Sequence, residues 1–333
     1  MTPSHATHAP APAAADVSAA ARLGHAMAEQ LAATLSTRQE TIALSVMCLL
    51  SGGHLLLEDV PGVGKTTLAR ALARVVGARV TRVQFTPDML PSDLTGVSVW
   101  DPQSRAFTFH PGPLFSDLVL ADEINRANPK TQSALLEAMG EHRVSVDGTT
   151  YDLPDPYFVM ATQNPVEMEG TYPLPEAQLD RFMVRTSLGY PDARDERAML
   201  VGTSGADPVT RVRPVCELAD VRAFRALASR VHVSDEVAAY ALSILEATRR
   251  DSEVRLGASP RAGLALVAIS RTHALLDERT AVFPEDVRTL APAVLAHRLV
   301  LRDAVPGTPQ AEQQRAVLAR LMSRVSAPGS RRR

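Results

Sequence analysis

The stretch LLLEDVPGVGKTTLAR, residues 55–70, joins an apolar run to a glycine-rich loop and then to the beginning of a helical pattern. Its loop is similar to the phosphate-binding pattern G-x-x-x-x-G-K-[ST], but Asp59 stands where the first glycine is usual. In such a loop, backbone N–H groups point at phosphate oxygens, a lysine adds positive charge and a hydroxyl binds Mg²⁺. The residues suited to these roles are Gly62, Gly64, Lys65 and Thr66.

Asp59 does not exclude a nucleotide site. The first loop position lies furthest from the phosphates, so an acid costs little there as long as its φ stays negative. Lys65 and Lys130 are the only lysines among 35 basic residues. A planar guanidinium cannot replace a compact ammonium group between phosphates, so a lysine at position 65 favours a phosphate site. An ordinary glycine-rich turn is the alternative. The predicted nucleotide contacts are Asp59, Val60, Pro61, Gly62, Val63, Gly64, Lys65, Thr66 and Thr67.

A second motif is the run LVLADE, residues 118–123, which reads as a buried strand ending in two acids. Asp122 is placed to hold Mg²⁺ together with Thr66, and Glu123 to activate a water for attack on the γ-phosphorus of ATP. Asn164 ends a further predicted strand and is suited to positioning that water, although Asn-Pro is also a common turn. Two solvated acids at a strand end are the alternative for Asp122 and Glu123. Together with the loop, the motif predicts ATP hydrolysis.

The order of apolar segments predicts an α/β fold. Helical spacing follows the glycine-rich loop and recurs over residues 129–139, between predicted strands. This alternation is typical of a parallel sheet flanked by helices, and the purely helical patterns from residue 215 predict a second, smaller all-helical domain. The predicted strands lie near residues 55–57, 82–85, 118–123 and 157–165.

Composition changes divide the chain further. Residues 88–114 contain the only tryptophan, Trp100, and are too long for a plain connection, whereas residues 142–151 alternate about an Asp-Gly turn and predict a hairpin. The predicted division is a disordered tail over 1–18, an α/β core over 19–190, a linker over 191–214, a helical lid over 215–325 and a basic tail over 326–333.

Charge and composition limit the classes of function. Thirty-five basic and 37 acidic residues give a formal charge of −2, which favours no polyanionic partner. Cys48 and Cys216 lie among apolar neighbours and are expected to be buried free thiols. No apolar stretch reaches the roughly 20 residues that a membrane span needs, and the N-terminal sequence lacks the features of a secretory signal. We therefore expect a cytoplasmic protein.

The histidines are expected to have core or surface roles rather than to bind metal. None of them has a cysteine or a carboxylate at metal-ligand spacing in the sequence. The histidines concerned outside the predicted tail are His54, His110, His232, His273 and His297.

In its longer sequence motifs, the chain resembles the AAA+ ATPases and, within them, the MoxR family. The resemblance covers residues 20–300 and implies an AAA+ P-loop core followed by a helical lid, with ATP and Mg²⁺ as cofactors. The family's EDVPG loop start also tolerates an acid at position 59. The phrases that carry it are LLEDVPGVGKT, QFTPDMLPSDLTG, ADEINRANPKTQSALLEAM, VMATQNPVEMEGTYPLPEAQLDRF, GASPRAGLAL and PEDVRTLAPAVLAHRL.

The resemblance also implies roles for single residues. Asn164 is similar to sensor 1, Arg181 of LDRF to the arginine finger offered to a neighbouring subunit, and Arg261 of SPRA to the sensor 2 arginine of the lid. Gln84, at the end of the second strand, is a candidate sensor of the nucleotide state. Gly140 stands where the family usually has an acid, and is interpreted as a glycine that ends its helix.

The resemblance finally implies a chaperone-like ATPase that forms a homo-oligomer, expected to be a hexameric ring. Such an ATPase works with a von Willebrand factor A domain protein to mature or assemble protein or metalloenzyme complexes. The predicted helix-2 insertion (88–114) and the hairpin before sensor 1 (142–151) also occur in metal-chelatase motor subunits and nucleic-acid motors. These two classes, and a nucleotide-binding scaffold without turnover, stay open as alternatives.

The hairpin favours a protein client over nucleic acid. A loop that follows DNA needs basic or stacking aromatic residues, whereas Arg143 is accompanied here by Asp147 and Asp152. Trp100 has polar neighbours and no core periodicity, so we expect it near an exposed edge, where aromatic residues tend to anchor protein partners.

Overall fold

The structure is a computed structural model that describes residues 12–60, 62–164, 171–190, 193, 196–197, 207–303 and 307–329. It begins with two helices, α1 (Ala14–Ala32) and α2 (Gln39–Leu50). Disorder over residues 14–18 is therefore a wrong prediction. Alanine is the strongest helix former, and Val17 is buried, so the helix already has an apolar contact in its first turn. Residues 1–11 lie outside the described part of the chain.

A five-stranded parallel sheet forms the core of the molecule. Its strands are β1 (Leu55–Glu58), β2 (Val80–Gln84), β5 (Leu118–Asp122), β8 (Phe158–Gln163) and β9 (Val184–Thr186). Their order in the sheet is β2-β5-β8-β1-β9, and every neighbouring pair is parallel. The four predicted strands are confirmed. β9 escaped prediction because its three residues include Arg185, whose buried side chain pairs with Glu58 at 3.3 Å.

The remaining core elements connect these strands. The helices are α3 (Lys65–Val75), α4 (Pro91–Thr95), α5 (Pro129–Glu141) and α6 (Glu176–Leu179). Two antiparallel hairpins, β3 (Gly96–Asp101) with β4 (Ala106–Pro111) and β6 (Arg143–Val146) with β7 (Thr149–Asp152), occupy the predicted insertions. The hairpins touch each other, because Phe109 stacks on Tyr151 with ring centroids 4.1 Å apart.

In its described residues the lid contains five helices, in agreement with the prediction of a helical second domain. They are α7 (Leu218–Ser229), α8 (Asp235–Arg250), α9 (Pro260–Leu276), α10 (Pro284–Leu295) and α11 (Gln310–Arg324). A small antiparallel pair, β10 (Val254–Leu256) with β11 (Val300–Leu301), was not expected. Of the predicted linker, residues 193, 196–197 and 207–214 are described, and the last stretch contains a short 3₁₀ helix, Pro208–Arg211.

Alternate residues of β1 enter two different apolar clusters. Leu55 and Leu57 pack with α2, α3 and the lid helices, whereas Leu56 packs with α5 and Phe182 on the other face of the sheet. This alternation follows from the two-residue period of a strand. The lid and one face of the sheet therefore share a single apolar core, which fixes the lid against the ATPase core.

Two sequence-based expectations concern the cysteine thiols and membrane-spanning segments. Cys48 and Cys216 are both free and buried, as predicted, and burial raises the pKa of the Cys216 thiol to about 11. Among the described residues, no helix is both long enough and apolar enough to span a bilayer.

Candidate nucleotide site

The glycine-rich loop lies at the carboxyl edge of the sheet, between the end of β1 and the start of α3. Gly62 and Gly64 have φ of +85° and +95°, a region that L side chains rarely adopt. Apart from each glycine and its chain neighbours, no atom of the described residues lies within 4 Å of the place where a Cβ would stand, so backbone conformation rather than space requires glycine here. Because Gly64 caps α3, the loop presents the positive end of that helix. Pro61 lies outside the described residues.

Lys65 and Asp59 are joined within the loop. The Lys65 side chain is buried, and its Nζ donates to the backbone carbonyl oxygen of Asp59 at 2.9 Å. The Asp59 carboxylate accepts from the backbone N–H groups of Leu188 and, at 3.1 Å, Gly189. Asp59 has no positive φ, so the acid fits the first loop position without strain and ties the loop to the segment after β9.

The other predicted contact residues belong to the same stretch. Val63 packs partly against the apolar core. Thr66 and Thr67 are half-buried in the first turn of α3, and Val60 lies between Asp59 and the undescribed Pro61.

The two acids lie at the same edge of the sheet. Asp122, the buried last residue of β5, accepts from Thr162 Oγ1 at 2.5 Å and pairs with Arg82 Nη2 at 2.6 Å. Glu123 has a φ of +57°, which is uncommon for a residue with a side chain. Its backbone N–H donates to Thr162 Oγ1 at 2.8 Å. Thr162 therefore bridges the two acids and holds the unusual backbone turn between them.

Hydrogen bonds also fix the Glu123 carboxylate. Its Oε2 accepts from Gln84 Nε2 at 2.8 Å and from Arg126 Nη1 at 3.0 Å. Arg82 Nη2 in turn donates to Gln84 Oε1 at 2.9 Å. Two arginines thus offset the repulsion between neighbouring carboxylates. Sequence reasoning singled out Gln84 but missed Arg82, Arg126 and Thr162, of which only the last left a signal, a hydroxyl within an apolar strand.

Asn164 completes this edge of the sheet. It is buried directly after β8, which runs between β5 and β1, so its position lies between the acids and the loop. Its backbone carbonyl oxygen faces Asn125 Nδ2 at 3.4 Å. The sheet order brings together the predicted loop, Asp122, Glu123 and Asn164.

The donor set at this edge suits Mg²⁺. The hydroxyl of Thr66 and the carboxylate of Asp122 are the hard oxygen ligands that this ion prefers. Arg82 shares the Asp122 carboxylate, but 54% of its side chain is exposed. The Arg82 end of this ion pair is therefore exposed to solvent.

Arg181 and Arg261 lie elsewhere. Both line a cavity of about 280 Å³ together with Gly52, Gly53 and His54, the residues that precede β1. None of the described loop residues lines this cavity. Since the loop follows the opposite end of β1, a strand of 4 residues, about 13 Å of strand separates the two regions. The structure does not bring these two arginines to the loop of their own chain.

Gly140 makes room for Arg181. A Cβ at Gly140 would lie 3.0 Å from Arg181 Nη1, and that guanidinium also donates to the carbonyl oxygen of Leu136. The interpretation of Gly140 as a helix-ending glycine is wrong, because α5 continues to Glu141. The left-handed cap residue is His142, with a φ of +53°.

His54 and His273 show two kinds of histidine environment. Buried His54 accepts from the Val159 N–H through Nδ1 at 3.0 Å and contacts the Met139 carbonyl through Nε2 at 3.1 Å. Burial lowers its pKa to about 3, so it is neutral. His273 Nδ1 lies 2.7 Å from Asp286 Oδ1, and the ligand atoms of His273, Asp277 and Asp286 lie within 4.8 Å of one another, so the expectation of no carboxylate partner at metal-ligand spacing is wrong for His273.

The contacts of His273 form an ion-pair network within the lid. Arg279 also binds the Asp286 carboxylate, at 2.6 and 2.8 Å. Although burial alone would raise the pKa of Asp286, hydrogen bonds from Arg279 and His273 hold it below its usual range. The sequence spacing of 13 residues between His273 and Asp286 concealed this pairing.

Comparisons with known proteins agree with this architecture. Residues 54–184 match the family described as "ATPase family associated with various cellular activities (AAA)", and residues 246–320 match "AAA lid domain". The uncharacterized protein YeaC of Bacillus subtilis is 46% identical over 313 residues, covering 93% of this chain and 96% of the relative. Chaperone MoxR1 of Mycobacterium tuberculosis is 43% identical over 262 residues, covering 76% and 69%. A crystal structure of a candidate ATPase from Cytophaga hutchinsonii superposes with a TM-score of 0.82 and 33% identity, covering 94% of this chain and 97% of that one.

Proposed function

Because the chain belongs to the MoxR family of AAA+ ATPases and is an ATP hydrolase, we propose that it works as a ring in which neighbouring subunits complete each other's ATP sites. The observation that carries this proposal is the separation of the predicted residues. Lys65, Asp122 and Glu123 lie at one edge of the sheet, and Arg181 and Arg261 at the other. A hexamer is the ring size that the family resemblance implies.

In this proposal each group has a distinct task. The loop and Lys65 bind the phosphates of ATP, while Thr66 and Asp122 would hold Mg²⁺, which neutralises phosphate charge when bound. Glu123 accepts a proton from the attacking water, and Asn164 orients that water. The excess charge of the transition state is met by arginines from the adjacent subunit. Those arginines are Arg181 and Arg261.

We further propose that hydrolysis drives chaperone-like work on a protein client, together with a von Willebrand factor A domain protein. The support comes from the tip of the β3–β4 hairpin. Trp100 is 50% exposed, as expected, and Phe107 is 70% exposed, and their rings meet edge to face with centroids 5.2 Å apart. Rigid aromatic pairs of this kind anchor protein partners. Maturation of a metalloenzyme complex is the form of this work that the family resemblance implies.

The test removes the aromatic tip and leaves the ATP site intact. The double variant Trp100→Ala, Phe107→Ala should keep its basal ATPase rate within about twofold, yet lose stimulation by a purified von Willebrand factor A domain protein or by an unfolded protein. Leu242→Ala is the matched control, because Leu242 is 48% exposed but lies on the lid. In the unchanged protein, the fluorescence of Trp100, the sole tryptophan, should shift to shorter wavelength on partner binding. Stimulation of the double variant equal to that of the control would refute the role of the tip.

A further inference from the structure

The segment that carries Arg181 is held by a buried arginine of the lid. Arg298 follows α10, and only 3% of its side chain is exposed. Its Nη2 donates to the carbonyl oxygens of Asp180 and Phe182, at 3.1 and 2.8 Å, and its Nε lies 3.0 Å from Asp180 Oδ1. The guanidinium therefore contacts the residue before Arg181 and the residue after it.

Two more lid side chains reinforce this contact. His297 Nε2 lies 3.0 Å from the carbonyl oxygen of Phe182. Ser259, which caps α9, donates to the Asp180 carboxylate at 2.8 Å. Arg261 lies in the first turn of α9. Ser259 therefore links the helix that carries Arg261 to Asp180, the neighbour of Arg181.

The chemistry of Arg298 suits a fixed clamp. Burial lowers its pKa to about 10, with Asp180 opposing that shift, so the group stays charged at neutral pH. A planar guanidinium can bind two carbonyl oxygens and a carboxylate at the same time, which a lysine cannot do with the same geometry.

We propose that Arg298 is a positioning residue through which the lid of one subunit sets Arg181 for the ATP site of the next subunit. This inference rests on the proposed function, in which Arg181 acts across the subunit boundary. It adds that the lid determines where the arginine is placed. A defect at Arg298 should therefore be felt at the neighbour's ATP and not at the subunit's own.

The experiment compares Arg298→Met and Arg298→Lys with a matched control, Arg279→Met. Arg279 also makes charged hydrogen bonds, but its partners Asp277 and Asp286 belong to the lid itself. We expect Arg298→Met to lower kcat at least about tenfold, with the Kd for ATP unchanged within twofold. Arg298→Lys should retain an intermediate rate. The Arg279→Met protein should keep a kcat close to that of the unchanged protein.

Mixing experiments distinguish positioning from general damage. Subunits of Arg298→Met keep an intact Lys65, and subunits of Lys65→Ala keep a correctly placed Arg181, so a mixture should regain activity that neither variant has alone. In an Arg181→Ala background, Arg298→Met should cause less than a twofold further loss, since the arginine that Arg298 positions is already absent. Weakened ATP binding, absent complementation or a further loss in that background would each overturn the inference.

Two additional measurements keep the outcome clear. If Arg298→Met does not fold, Ser259→Ala removes one contact to Asp180 and should give a smaller kcat loss that is also complemented by Lys65→Ala; a loss without complementation would count against the inference. If Arg181→Ala and Lys65→Ala fail to complement each other, the proposed shared site itself is wrong. Complementation by that pair, but not by the Arg298 variants, would reject only the role of Arg298.

Discussion

The two edges of the central sheet are built in different ways. At the carboxyl edge, charged groups are paired locally, since Asp122 has Arg82 and Glu123 has Arg126. At the amino edge, the described residues that line the same cavity include three arginines and one aspartate, an excess of positive charge. In the ring proposed above, a phosphate-binding carboxyl edge and an amino edge rich in guanidinium groups would complement each other across two copies of the chain.

Strand β9 is the direct connection between these edges. Arg181 lies before this strand of 3 residues, and Asp59 of the glycine-rich loop holds the backbone of Leu188 and Gly189 after it. The lid holds the segment before the strand through Arg298. Only the three residues of β9 therefore separate the segment that carries Arg181 from the segment that is bound to the glycine-rich loop.

The comparison predicts its largest effect for Arg181→Ala. Loss of an arginine that stabilises transition-state charge should lower kcat by about 10³- to 10⁵-fold, with ATP binding retained. Mixing with Lys65→Ala should restore part of the activity, and the specific activity of the unchanged protein should rise with its concentration. Arg143→Ala, an exposed arginine on the β6–β7 hairpin, is the control. Full activity of an Arg181→Ala monomer would show that the amino edge takes no part in catalysis.

A second test addresses the carboxyl edge. Glu123→Gln removes the proton acceptor but retains a side chain of the same shape, so kcat should fall by about 10²- to 10⁴-fold. Binding of Mg²⁺ and ATP depends on Lys65, Thr66 and Asp122 in this account and should persist, as measured by equilibrium titration. Glu137→Gln, on the exposed face of α5, should leave both quantities unchanged. Normal turnover by the Glu123 variant would assign water activation to another group.

The two edges also differ in how far the sequence predicts them. The loop and the acids are contiguous motifs whose chemistry is local, so residues and fold class follow from the sequence. The placement of Arg181 and Arg261 depends on how β9 and the lid pack, which no local pattern encodes. Arg82 became a partner of Asp122 only through the register of β2 against β5. The tail prediction failed for the same reason, since burial of Val17 against distant residues stabilises α1.

The smallest expected effect concerns His54, which lines the arginine cavity. Burial, His142 and Arg225 lower its pKa from 6.5 to about 3, opposed by the hydrogen bond to Met139. Above pH 6.5 the imidazole is neutral in both the folded and the unfolded protein, and the full stability is present. As the pH falls toward the folded pKa, the unfolded protein takes up a proton that the folded protein does not, and stability is lost. Between pH 6.5 and 5.0 the free energy of unfolding should drop by about 2 kcal/mol on account of this group.

The variant His54→Gln isolates that contribution. A glutamine can accept from the Val159 N–H and donate to the Met139 carbonyl, as neutral histidine does, but it cannot take up a proton. The variant should therefore lose much of the acid-dependent drop measured by urea unfolding at pH 7.5 and 5.0, while His110→Gln, an exposed change on β4, should keep it. Some acid sensitivity should persist, because burial also lowers the pKa of His297 beside Phe182. If His54→Gln retained the whole drop, acid sensitivity would belong to groups other than His54.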